Sequence, residues 1–199
     1  MYDKLYSKIT DALVEDGYIV IENALEPALS QELSQISKNI TKYKNAGISH
    51  KSTLDRNRRK DKIYWLNEDD AVTCKYLSFT KGLQNYLNRH LYLGLKYYES
   101  HFALYEANDF YEKHLDAFKN SKNRVVTTVY YLNEDWENSD GGELVIYDKN
   151  DIQIQKITPH INTMVVFLSE VFPHEVFISN KERYSIAGWF RVDEKGLSV

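Results

Sequence analysis

The sequence predicts a mainly β protein with flanking helices: a double-stranded β-helix, or jelly roll, buttressed by N-terminal helices. Apolar residues recur at helical spacing through much of residues 1–100. From His101 onward the period shortens to that of extended chain, in eight short runs. Aromatic residues make up 14% of the 199, including 16 tyrosines, a weighting that favours strands and opposes disorder.

Tyr2, Leu5, Ile9, Ala12 and Leu13 form one helical stripe, and Gly17 supplies its stop. "YIVIENAL" is a short apolar strand. Pro27 suits the first turn of a second helix, with Leu29, Leu33, Ile36 and Ile40 as its inward stripe. A third helix runs from about Thr73 to Leu91, with Leu77, Leu83, Leu87 and Leu91 inward. The eight strand-like runs are "HFALYE", "FYEKHLD", "RVVTTVYYLN", "GELVIYD", "DIQIQKI", "TMVVFLS", "HEVFIS" and "RYSIAGWFRV". "NSDGG" carries an Asp-Gly hairpin signal. An immunoglobulin-type sandwich would also suit eight strands, but it leaves the polar residues inside them unexplained.

Hydrophobic residues at 43% and charged residues at 27% describe one ordinary globular domain over 1–199, with 1–100 as helical support and 101–193 as the β core. A formal charge of −4 argues against a dedicated nucleic-acid binder. The single Cys74 cannot form an internal disulfide, which favours a reducing compartment. "MYDKLYSKITDALVEDG" is charged throughout, and no later run reaches membrane-spanning length. The expectation is a cytoplasmic protein with no membrane partner.

The chemistry begins at "YEKHLDAF". Side chains alternate along a strand, so His114 and Asp116 point the same way and can face one metal ion. Alone, such a pair is better explained by a half-buried strand showing polar groups to water. A third ligand changes the balance. "FPHEVF" places His174 at the start of another strand, 60 positions after His114. Two histidines and one carboxylate with open positions form the facial triad of non-haem iron(II) oxygenases. A closed zinc site would need a fourth Cys or His nearby, and Cys74 lies in a helix. His160 falls in a turn-like joint and reads as surface. His50, His90 and His101 fit a loop, a helix end and a strand start, where a structural role is the simpler one.

In "RYSIAGWF", Arg183, Ser185, Ala187 and Trp189 share one strand face. A guanidinium on an inward face needs an anion, and small neighbours leave room for a slender one. Arginine binds carboxylate through two parallel hydrogen bonds, so a dicarboxylate is the natural ligand. A surface salt bridge to Glu182 or Glu175 is the plainer alternative.

These motifs together resemble the 2-oxoglutarate- and iron(II)-dependent dioxygenases, and more closely the prolyl hydroxylase branch with the hypoxia-inducible-factor prolyl hydroxylases and their bacterial relatives. The resemblance runs through "YEKHLD", "RVVTTVYYLNEDW", "GGELVIY", "PHEV" and "RYSIAGWF", with an upstream match in "HKSTLDRNRRKDKIYWL". It implies a single 2-oxoglutarate/Fe(II) dioxygenase domain, with Fe(II), 2-oxoglutarate and O2 as cofactors and ascorbate as a candidate reductant. It further implies iron held by His114, Asp116 and His174, and the far carboxylate of 2-oxoglutarate held by Arg183 and the Tyr131 hydroxyl. Tyr105 would lie beside the chelating end of the cosubstrate, Ser185 within its pocket, and Trp189 would wall the pocket near the iron. Arg124 would orient the iron-binding aspartate. Two departures stand out: Ala187 replaces a threonine of close relatives, and the Tyr105–Tyr111 link is shorter than in the animal enzymes.

The implied reaction is hydroxylation of a prolyl residue at C4 in a protein, coupled to oxidative decarboxylation of 2-oxoglutarate to succinate and CO2. The implied protein is a monomer. Elongation factor Tu is the candidate substrate if the source is bacterial. An oxygenase for a free amino acid, or a non-catalytic metal-binding jelly roll, would use many of the same residues. Residues 51–62, "KSTLDRNRRKDK", carry six basic and two acidic side chains, +4 against −8 for the rest of the chain. Such a run is ordinarily a solvated loop. By resemblance it is a substrate flap, to which Arg58, Arg59 and Asp61 belong.

Overall fold

A computed structural model describes residues 2–46, 58–116 and 123–193. The elements in chain order are α1 (Asp3–Glu15), β1 (Tyr18–Ile21), α2 (Pro27–Asn39), β2 (Lys44–Asn45), β3 (Lys62–Trp65) and α3 (Ala71–Leu91). After them come β4 (Tyr97–Tyr105), β5 (Tyr111–His114), β6 (Arg124–Tyr131), β7 (Leu144–Tyr147), β8 (Gln153–Ile157), β9 (Met164–Leu168), β10 (His174–Val176) and β11 (Arg183–Arg191).

The strands form two antiparallel sheets. The larger has the order β1-β9-β6-β11-β4-β3-β2, and the smaller β5-β10-β7-β8. The larger sheet is buried on both faces, which is why β4, β6, β9 and β11 read as nearly continuous apolar runs. Alternation divides their side chains. Phe102, Leu104, Tyr130, Ile186 and Phe190 point outward into a core shared with α1, α2 and α3. Ala103, Tyr105, Val129, Tyr131 and Phe167 point the other way, into a core shared with the smaller sheet. The jelly roll with buttressing helices is therefore as expected, and the candidate site residues of β4, β6 and β11 lie on the larger sheet's second face, toward the smaller sheet.

The helices differ from expectation in what they bury. On α2, Leu29 and Leu33 are buried, but so are Ser30, Ser34 and Ser37, while Ile36 and Ile40 are only partly covered. Small side chains let this helix approach the sheet closely. Ser34 Oγ donates to the Leu132 carbonyl at 2.8 Å, and Ser30 Oγ hydrogen-bonds the Tyr130 hydroxyl. On α3, Leu83 and Leu87 are inward, joined by Tyr76 and Phe79, while Leu77 and Leu91 sit at the margin of that core. The N-terminus of α3 is capped by Asp70, which accepts from the Val72 and Thr73 amides at 2.9 and 2.8 Å.

Burial opposes ionisation of Asp70, yet its bonds from Thr73 and Val72 outweigh that and hold the carboxyl below its ordinary range. Asp70→Ala should cost about 1 kcal/mol of stability at neutral pH. The cap is fully in force above the ordinary carboxylate pKa of about 4 and is lost as pH falls through the lowered folded-state value. Urea unfolding of both proteins across that range should show the difference shrink with acidification.

Gly188 on β11 lets the Tyr98 ring lie across the sheet, where a Cβ would overlap the Tyr98 hydroxyl and ring. That hydroxyl hydrogen-bonds Thr128 at 2.7 Å and Tyr76 at 3.2 Å. Gly188→Ala should destabilise by about 1–3 kcal/mol, read as a lower urea midpoint at unchanged slope.

The Asp-Gly signal at Asp140-Gly141 is not a hairpin. The strands before and after it, β6 and β7, belong to different sheets, so the turn serves a crossover. Its glycines have left-handed φ of 67° and 68° and bring the Gly142 carbonyl against Arg183.

Candidate active site

Strand pairing brings together residues far apart in the chain. β10 pairs with β5 so that His174 and His114 are direct cross-strand partners, with ring centroids 4.3 Å apart. Asp116 follows two residues after His114, just past the end of β5. The three offer ligand atoms that all lie within 4.8 Å of one another.

Local contacts orient each group. His114 Nδ1 is 2.8 Å from the Glu112 carbonyl, and His174 Nδ1 is 3.0 Å from the Phe172 carbonyl. A carbonyl can only accept, so both Nδ1 atoms are placed to donate, which leaves Nε2 as the nitrogen each ring can offer to a metal. Those Nε2 atoms lie 3.7 and 3.6 Å from the two Asp116 oxygens, too long for hydrogen bonds and open enough for an ion between them. Thr127 Oγ1 donates to Asp116 Oδ2 at 2.8 Å, and Ser169 Oγ hydrogen-bonds that threonine at 2.8 Å. Tyr111 stacks on His114 at 3.6 Å, and Phe167 meets His174 edge-on at 4.8 Å. Burial, followed by the nearby His174, pushes the His114 imidazole down, so it is neutral and ready to ligate. Burial would raise the Asp116 carboxyl, but His174, His114 and Arg124 together outweigh it and keep it ionised. Two imidazoles and one carboxylate on one side of a buried site fit Fe(II) with open positions.

Arg183, Ser185, Ala187 and Trp189 do share the inward face of β11. Arg183 is 1% exposed, and among the described residues no carboxylate pairs with it. Its Nε donates to the Gly142 carbonyl at 2.7 Å and Nη1 to Ser185 Oγ at 3.3 Å, leaving further N–H groups of the fork for a ligand. The surface salt bridge is excluded: Glu182 accepts from the Tyr184 hydroxyl at 2.7 Å, and Glu175 accepts from the Tyr147 hydroxyl. Tyr105 and Tyr131 flank the guanidinium with ring centroids at 4.9 and 5.1 Å. The Tyr131 hydroxyl is buried without a hydrogen-bond partner among the described residues. A buried cation with no acid partner among the described residues, beside such a hydroxyl, has the donor set that suits a carboxylate.

Arg124 is placed differently from expectation. It bonds Glu99 Oε1 at 3.1 Å and lies 3.7 Å over the Trp189 ring. Its charge reaches Asp116, but the hydrogen bond that fixes the carboxylate comes from Thr127, because Glu99 on β4, across β11, captures the guanidinium. Thr127 was readable in principle, since it alternates with Tyr131 on β6 and so shares its face. The upstream segment contributes as well. Arg59 pairs with the buried Asp61 at 2.8 Å and covers the Tyr111 ring at 4.6 Å, while Arg58 meets Glu112 at 3.1 Å in solvent. Of the flap at 51–62, residues 51–57 lie outside the described residues, as does His50. His90 stacks on Tyr86 near the end of α3, and His160 is exposed. His101 differs from expectation: it sits in the middle of β4, buried on the site face.

This geometry agrees with what the chain is similar to. Residues 100–191 match the model of the 2OG-Fe(II) oxygenase superfamily. A solved prolyl-4-hydroxylase of Pseudomonas putida is 32% identical, over 95% of this chain and 100% of that one, with a TM-score of 0.87. A Trichoplax adhaerens prolyl hydroxylase, solved with a hypoxia-inducible-factor peptide fragment, is 28% identical over 94% of this chain and 89% of that one, with a TM-score of 0.86. Egl nine homolog 1 of Rattus norvegicus is 32% identical over 74% of this chain and 46% of its own length, so the chain spans under half of that curated relative. The chain belongs to the 2OG-Fe(II) oxygenase superfamily, whose cofactors are Fe(II), 2-oxoglutarate and O2. Within it, this chain is homologous to the prolyl hydroxylases.

Proposed function

We propose that this protein is an Fe(II)- and 2-oxoglutarate-dependent dioxygenase that hydroxylates a prolyl residue at C4 in a protein substrate. Oxidative decarboxylation of 2-oxoglutarate to succinate and CO2 accompanies that step. The observation that carries the reading is Arg183, a buried cation with no acid partner among the described residues, on a sheet face that also meets the His114, Asp116 and His174 cluster. Iron supplies the oxygen chemistry when bound. His114, Asp116 and His174 hold it on one side and leave the remaining positions open. Thr127 keeps Asp116 aimed at the site. Arg183 and the Tyr131 hydroxyl grip the far carboxylate of 2-oxoglutarate, Tyr105 and Ser185 line its length, and Trp189 walls the far end. The aromatic and aliphatic inner face keeps water out.

The chain acts as one domain over 1–199, with residues 1–100 as support and flap and 101–193 as the catalytic jelly roll. The net +4 of residues 51–62 supports a polypeptide substrate, with Arg58, Arg59 and Asp61 at the flap's descending end. If the source is bacterial, elongation factor Tu is the candidate, on resemblance alone. The protein works as a monomer in the cytoplasm, with ascorbate as reductant. No helix of the described residues is long and apolar enough to cross a membrane. Mass spectrometry of proteins from cells with and without the gene is the test. A prolyl residue carrying one added oxygen only when the gene is present supports the reading. Succinate release with free amino acids and none with prolyl peptides overturns it.

A further inference from the structure

His101 has no role in the chemistry so far. It is 2% exposed, and neither ring nitrogen has a hydrogen-bond partner among the described residues. Leaving a buried polar group unsatisfied costs about 1–3 kcal/mol, so such a group calls for an explanation. The burial first, and then Arg59 and Arg124, keep the imidazole neutral, with one N–H donor and one acceptor. Its exposure resembles that of Tyr131 and Arg183, the groups on the same sheet face that await the cosubstrate.

Its position says which ligand it awaits. On β4 it stands between Ala187 of β11 and Trp65 of β3, all in register on the site face. Its ring is held between two indoles, Trp65 at 5.2 Å and Trp189 at 5.4 Å between centroids. Asp116 hangs from Thr127 on β6, which is two strands from β4 in the sheet order, about 10 Å away. His101 is outside the group of ligand atoms that meet at the metal site. Cosubstrate groups occupy the other end of the face, at Arg183 and Tyr105, which pair four residues along β11 and β4. Ala187 gives the ring no polar neighbour and leaves room beside it. On the outer side, Trp65 is 50% exposed, so this is where the site opens toward β3.

A prolyl residue has a carbonyl and no N–H, so a pocket that reads the backbone there needs a donor. We propose that the His101 ring N–H is a substrate-recognition group that donates a hydrogen bond to the main-chain carbonyl of the target prolyl residue, whose ring packs against Trp65 and Trp189. This rests on the reading of the protein as a prolyl hydroxylase.

The test uses the full chain loaded with Mn(II) and 2-oxoglutarate without oxygen, and as probes poly-L-proline and short blocked peptides with a single central proline. His101→Leu and His101→Met, which lack a donor, should weaken probe binding about tenfold. With Fe(II) and oxygen they should raise KM for the peptide by a similar factor, with a smaller effect on kcat. Affinity for 2-oxoglutarate without peptide should stay at the wild-type value, and His101→Gln, with an amide donor, should restore most of the binding. Equal probe binding by wild type and both donor-free variants overturns the assignment while leaving prolyl hydroxylation intact. Parallel loss of 2-oxoglutarate affinity, or no rescue by glutamine, makes the ring a structural support and also overturns it. Failure of the wild type to bind any probe brings down the prolyl reading itself.

Discussion

His174→Ala should abolish both retention of Fe(II) and iron-dependent release of succinate, the largest effect expected of any single substitution in this chain. Three ligand atoms within 4.8 Å form the site, and the substitution leaves one imidazole and one carboxylate. Loss of an outer hydrogen-bond partner of a metal ligand already costs 10–100-fold in affinity or activity, so loss of a ligand itself should exceed about 100-fold. The fold should persist. β10 is held to β7 and β5 through its backbone, and the deleted ring packs on His114 and Phe167. Iron binding by equilibrium dialysis and far-UV circular dichroism separate the two consequences. A variant that is folded, binds iron as the wild type does and still turns over would remove His174 from the metal site.

The second large effect is at Arg183. A lysine there keeps the charge but replaces a planar fork with a single ammonium. The wild-type guanidinium already spends Nε on the Gly142 carbonyl and Nη1 on Ser185, and keeps further N–H groups that a carboxylate can engage. Lysine cannot satisfy the backbone carbonyl and the carboxylate together. Hydrogen bonds to charged groups are worth about 1.5–3 kcal/mol, so KM for 2-oxoglutarate should rise roughly tenfold to a hundredfold. Arg183→Leu should lose more, yet without cosubstrate it should be no less stable than the wild type, since it removes a buried charge with no acid partner among the described residues. Adding 2-oxoglutarate should raise the melting temperature of the wild type and leave that of Arg183→Leu unchanged. An unaltered cosubstrate requirement in Arg183→Lys would show that this arginine serves another anion.

The candidate metal and cosubstrate residues were legible because strand alternation converts sequence parity into a shared face. His114 with Asp116, and Arg183 with Ser185, Ala187 and Trp189, needed only the period of two. The inward serines of α2 were not legible, because hydropathy ranks Ser34 below Ile36 and says nothing of how near the helix must lie to Leu132. Arg124 misled for a related reason. Its charge and place in β6 suit an aspartate partner, but Glu99 is closer once β4 and β6 lie on either side of β11.

The sequence alone determined which side chains could reach the inner face, because that depends on backbone period, a local property. Only the tertiary structure decided which of them meet. The pairing of His174 with His114, the capture of Asp116 by Thr127 and the enclosure of His101 between Trp65 and Trp189 depend on strand order and register. Those are set by long-range packing between the sheets, for which the chain carries no local signal.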